Sequence, residues 1–249
     1  MSFDLFGEVW RRALSVQPAP PPSMIMLAAA VATALVLAQT TWRYTRLMVT
    51  IVHEGGHAVA ALVTGRRLRG IRLHSDTSGL TVSSGRASGP GMVITLLAGY
   101  LAPALLGLVA VGLLLNEHSL GLLWLLAIVL ALMLLQIRNF FGFGLVVVAA
   151  AGLLAVSWYA PPPVQSGVAY LITWILLVSA PRPVLELIGQ RRNGRGRHSD
   201  VDQLARLTRT PAGLWVGFFL LINCAGLAIG AALLLPALAE LMRNLLASG

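Results

Sequence analysis

Leu47-Met48-Val49-Thr50-Ile51-Val52-His53-Glu54-Gly55-Gly56-His57-Ala58-Val59-Ala60-Ala61-Leu62-Val63-Thr64 decides how this chain is read. The stretch is apolar enough to sit in a membrane, yet it carries two imidazoles and a carboxylate. On a helix, His53 and His57 are four positions apart and share a face, so both can bind one Zn²⁺. Glu54 stands beside them and can take a proton from an activated water, the H-E-x-x-H arrangement of zinc peptidases. Ionisable groups at membrane depth are costly, and a network that only satisfies itself gains nothing over Leu or Ala there. Gly55 and Gly56 are poor helix formers, at about 1 kcal/mol each relative to Ala. Either they clear space beside a metal for substrate, or they let another helix approach closely.

Working outward, the chain is 57% hydrophobic and 11% charged over 249 residues, unlike a soluble domain. Apolar runs at 24–41, 47–64, 92–115, 120–137, 140–158, 164–180 and 212–235 reach or approach spanning length. The expected fold is an all-α polytopic membrane protein of about seven transmembrane helices. Every basic residue is Arg, and the net charge of +9 comes from arginines at the ends of apolar runs. They serve orientation and lipid headgroups there, which argues against a nucleic-acid partner and for the lipid bilayer. Cys224 is the only cysteine, so no intrachain disulfide forms.

Residues 1–23 read as an interfacial amphipathic segment, and 24–249 as a single transmembrane domain with a cytoplasmic basic loop at 181–211. A short amphipathic tail is expected at 237–246. Gly65 suits the C-cap of the motif helix. Beyond it, Ile71, Leu73, Leu80 and Val82 alternate with polar residues around the turn Asp76-Thr77-Ser78-Gly79. That pattern fits a small β-hairpin able to add a strand to an extended peptide, or a plain cytoplasmic loop. The Arg-rich loops at 65–86 and 181–210 belong in the cytoplasm, and the loops at Asn116 and Tyr159 outside. This gives an N-terminus in the cytoplasm and a C-terminus outside, with Arg43 and Arg46 on the wrong side.

Two histidines need a third protein ligand. Glu186 most simply pairs with Arg182, and His74 and Asp76 read as surface residues of the hairpin. The remaining cluster is His198-Ser199-Asp200-Val201-Asp202. Ser199 with Asp202 also fits a capping box opening a short helix at 200–208, so the cluster is read equally as ligand or cap. Asp200 could serve as ligand while Asp202 caps, and Asp202, His198 and Asp76 stand as alternatives. Arg138-Asn139 is the other polar island. Asn139 suits holding a substrate strand or stabilising an oxyanion, and Arg138 suits snorkelling to headgroups.

His53-Glu54-Gly55-Gly56-His57 in an apolar span, followed by a Gly-rich polar hairpin, resembles the site-2 protease family of intramembrane zinc metallopeptidases. Gly99-Tyr100-Leu101-Ala102-Pro103, Arg138-Asn139-Phe140-Phe141-Gly142 and Ser199-Asp200 also resemble its minimal bacterial branch without a PDZ domain. The resemblance implies zinc on His53 and His57, Glu54 activating water, and a distant Asp completing the site. The family's usual Asp-Gly pair in a later span is absent, which leaves Asp200 as the substitute.

The expected function is hydrolysis of a membrane-embedded segment of a partner protein in a bacterial plasma membrane, with an accessory membrane protein as a further partner. The alternatives are an inactive peptidase-like scaffold or regulatory subunit, and a transporter. The last lacks the inverted repeat it would need.

Overall fold

The structure is a computed structural model and describes residues 2–193 and 199–235. The expected tail at 237–246 and His198 lie outside these residues. In chain order the elements are α1 (Ser2–Ala13), α2 (Pro22–Leu37), α3 (Gln39–Val63), β1 (Arg67–Leu73), β2 (Gly79–Ser84), α4 (Pro90–Leu115), α5 (Ser119–Leu134) and α6 (Phe140–Tyr159). They continue with α7 (Pro162–Ser179), α8 (Arg182–Arg192), α9 (Asp200–Thr208) and α10 (Ala212–Leu234). Prolines open α2, α4 and α7, where the missing N–H costs nothing. Gly65, at φ 73°, ends α3. Gly65 N–H reaches Leu62 O at 3.0 Å and Arg66 N–H reaches Ala61 O at 2.8 Å, a Schellman closure.

An apolar helix stands at each of the seven places where the sequence suggests a span, and the chain is an integral membrane protein of helical class with a small hairpin. By length and composition, fewer than seven of these helices reach spanning length among the described residues. Among the described residues, four helices are long and apolar enough to cross, or up to five if α2 and α3 count as one span bent by 101°. At 16 residues α5 is shorter, and at 1.5 Å per residue it reaches only about 24 Å.

The bend at Ala38 corrects the expected boundary at Trp42-Arg43-Tyr44-Thr45-Arg46, which lies inside α3 rather than between spans. Trp42 Nε1 donates to Glu186 Oε1 at 2.5 Å, and Arg46 pairs with Glu186 at 3.3 Å. Arg182 instead lies over the Trp42 ring at 4.2 Å, so the expected Arg182–Glu186 pair does not form. Both ends of α3 therefore sit on the Arg-rich side: its start meets α8, and its end lies beside Gly91 at the start of α4. Arg43 and Arg46 are not misplaced.

The N-terminal segment sits on the opposite side. Gln17 N–H donates to Glu117 O at 2.8 Å, the Gln17 amide meets Gln165 at 2.5 Å, and Arg12 reaches Trp158 O at 3.3 Å. It therefore shares a face with the loops at Asn116 and Tyr159. The expected arrangement, with the N-terminus across the membrane from those loops, does not hold.

The loop at 181–211 is largely helical. α8 extends the line of α7, and α9 folds back against α4 and α10. Val201 and Leu204 are fully buried among Leu96, Val184, Leu187 and Phe219. Burying each is favourable by about 2 kcal/mol, so a two-residue apolar stripe on a nine-residue helix holds it to the bundle.

Candidate metal centre

The middle turns of α3 point His53 and His57 towards the start of α9 and Glu54 towards β2. His53 Nε2 and His57 Nε2 are 3.0 Å apart, and Asp200 Oδ2 lies 3.2 Å from each. Among the described residues this trio is the one His, Cys, Asp or Glu cluster with metal-binding geometry. A tetrahedral ion with ligand bonds near 2.0 Å sets its ligand atoms about 3.3 Å apart. The observed spacing is close to that edge, and the two-imidazole, one-carboxylate donor set suits zinc and leaves a fourth position open. His57 is oriented from behind: its Nδ1–H donates to Thr95 O at 2.7 Å, which leaves Nε2 free as the inward-facing atom.

Glycine makes the back wall. A Cβ on Gly99 would collide with Nε2 of both histidines, so the α4 backbone can pass the pair only there. Gly56 plays the packing role between α3 and α4, since a Cβ on it would meet Ala98 O at 2.7 Å and Ala102 Cβ at 2.6 Å. Gly55 faces open space. Tyr100 stands edge-on to His53 at 4.9 Å and stacks on Phe219 at 5.0 Å. A cleft of about 180 Å³ opens in front, lined by Arg46, His53, Glu54, Gly79, Tyr100 and Gln190.

The Peptidase M50B-like family model matches residues 26–230, which is most of the chain and includes every residue of this centre. The chain belongs to the Peptidase M50B-like family. No curated protein and no solved structure matches it significantly. The family match is consistent with the site-2 protease family of metallopeptidases, in keeping with the His-Glu-Gly-Gly-His motif and the helical membrane fold.

The other sequence-derived residues of the M50B-like chain fall elsewhere. Asp202 caps α9 as part of the capping box with Ser199 and pairs with Arg191 at 2.5 Å. Burial pushes its carboxyl up, but the hydrogen bonds from Arg191 and Ser199 outweigh that and hold it below the ordinary value. Asp76 accepts from Ser78 N at 3.0 Å and Ser78 Oγ at 2.6 Å, closing the hairpin turn. Those two bonds hold its carboxyl low, and it is exposed and apart from the trio.

Asn139 is spent on the hairpin. Its Oδ1 accepts from Leu73 N at 3.1 Å, and its Nδ2 donates to Leu73 O at 2.7 Å. With Ile71 N–H to Gln136 O at 2.8 Å and Arg138 N–H to Ile71 O at 2.9 Å, the segment before α6 pairs with the outer edge of β1. Both ends of the carboxamide are engaged by the Leu73 backbone, so Asn139 anchors the sheet. Sequence reasoning did not single out Thr81, Thr95 or Gly79. A lone hydroxyl or glycine, in an alternating strand or in an apolar helix such as α4, carries no signal of what lies opposite.

Proposed function

We propose that this chain is an intramembrane zinc metallopeptidase that hydrolyses a peptide bond in a membrane-embedded segment of another protein. The observation that carries the reading is the convergence of His53, His57 and Asp200 on one point, with the buried Glu54 adjoining His53 in the lining of the same cleft. His53 Nε2, His57 Nε2 and Asp200 Oδ2 would hold the zinc. When bound, zinc supplies a Lewis acid that acidifies water and polarises a carbonyl.

The chain's own residues do the rest. Glu54, on the same helix as the two histidines, takes the proton from water and delivers it to the leaving amine nitrogen. Thr95 O keeps His57 in the tautomer that presents Nε2. A helical substrate hides its peptide bonds, so the segment must unwind before cleavage. The far edge of β1 is already paired by residues 136–139, which leaves β2, beside Ser78 and Gly79 of the cleft, as the edge on which an extended segment can lie.

The arginine asymmetry supports a cytoplasmic hairpin, α8 and α9, and an N-terminal segment on the outer face. A bacterial plasma membrane is the setting this reading implies.

The test is Glu54→Gln. Zinc and fold are expected to persist, because the amide is nearly isosteric, while cleavage of a reconstituted membrane substrate is abolished. Cleavage at the wild-type rate by Glu54→Gln would remove the peptidase reading.

A further inference from the structure

We infer that β2 is built as a seat for the Glu54 carboxylate, with Thr81 as a positioning residue and Gly79 as the clearance it needs. This deepens the peptidase reading and rests on it for its catalytic meaning. Thr81 Oγ lies 2.6 Å from Glu54 Oε2, at hydrogen-bonding distance with the hydroxyl as donor, and 3.1 Å from Glu54 O. The single hydroxyl proton serves the nearer carboxylate oxygen, so this side chain holds the carboxylate while lying against the backbone of the residue that would move the proton.

Gly79 is two positions earlier on the same strand, so it faces the same way. A Cβ placed there would meet Glu54 Oε1 at 2.5 Å and Cδ at 2.7 Å. The backbone of Gly79 does not call for glycine, because the positive-φ glycines among the described residues are Gly65, Gly70, Gly85 and Gly89. The close approach of Glu54 is what excludes a side chain. Thr50 Oγ donates to Thr77 O at 2.8 Å and ties the turn to α3, and Asn139 fastens β1 from the other side. The hairpin is thus tied to α3 at its turn and held at the far edge of β1 by the segment before α6, while the outer edge of β2 stays open among the described residues.

The chemistry explains why such a seat is useful. A general base must be held within hydrogen-bond reach of its water, and a misplacement of about 1 Å can cost a hundredfold in rate. A free glutamate has three rotatable bonds. The Thr81 bond ties Oε2 down, and Gly79 leaves room for Oε1 to lie against the strand.

Two measurements test this on the full-length protein in detergent. The first is isotope-edited infrared spectroscopy, in which the Glu54 carboxyl band is the one lost in Glu54→Gln. Thr81→Val should shift that band and Thr81→Ser should leave it in place. An unchanged band in Thr81→Val overturns the inference whether or not the protein is a peptidase. The second uses a dye-quenched model transmembrane peptide with a central Asn-Gly helix break. Thr81→Val and Gly79→Ala should each lower kcat by about tenfold or more with KM and zinc content unchanged, and Thr81→Ser should restore most of the rate. A Thr81→Val protein with wild-type kcat overturns the inference while Glu54→Gln remains inactive. Full activity in Glu54→Gln is the separate outcome that removes the peptidase reading beneath it.

Discussion

At the residue scale, the division of labour between Asp200 and Asp202 follows from helical geometry. Successive residues on a helix turn by about 100°, so positions two apart point to nearly opposite sides. Ser199 claims Asp202 for the cap and Arg191 claims its second oxygen, while Asp200 turns to the histidines. Asp200→Asn should weaken zinc binding by at least about tenfold, since even outer-shell changes cost that much. Asp202→Asn should keep zinc and lose about 1 kcal/mol of cap stability. Competition with a chelator measures the first effect and thermal unfolding the second, and a reversed pattern would exchange the two roles.

The motif residues were legible because their types and spacing are chemical necessities of a zinc site. Asp200 could only be ranked, because a capping box and a ligand call for the same residues. Asn139 misled for the same reason: an amide in a polar island serves a backbone as well as an oxyanion.

At the element scale, α9 and the hairpin are what turn one helix into a site. Neither contribution shows in periodicity alone. The alternation of Ile71, Leu73, Leu80 and Val82 announces a hairpin, but not that β1 is fastened on its other side by residues 136–139. That pairing joins parts of the chain far apart in sequence, and only packing reveals it. Asn139→Ala removes two hydrogen bonds to Leu73, each worth about 1 kcal/mol. Faster hydrogen exchange at the Leu73 amide is expected, with zinc content retained. Unchanged protection at that amide would show that the hairpin holds without the anchor. The polar stretch at 181–211 looked like a loop because its arginines hide the short apolar stripe of Val201 and Leu204, which is enough to bury α9.

At the scale of the whole molecule, the 101° bend between α2 and α3 brings the arginines onto one face. Arg43 and Arg46 join the other arginines of the hairpin, α8 and α9, and the N-terminal segment joins the loops at Asn116 and Tyr159. A count of apolar stretches cannot see the bend at which α3 departs from the line of α2. In a Cys224→Ser background, a cysteine at Asn116 should be labelled from outside the cell, and one at Ser75 only from the cytoplasm. The opposite pattern would invert the molecule without altering its chemistry.

The central claim is that His53, His57 and Asp200 hold a zinc ion inside the membrane domain, and its most direct test is the metal content of the purified protein. Elemental analysis of the wild type and of a His53→Ala, His57→Ala double mutant, both folded in detergent, should find one zinc per wild-type chain and essentially none in the mutant. Equal zinc in the two proteins, or none in either after purification with zinc present, would contradict the account.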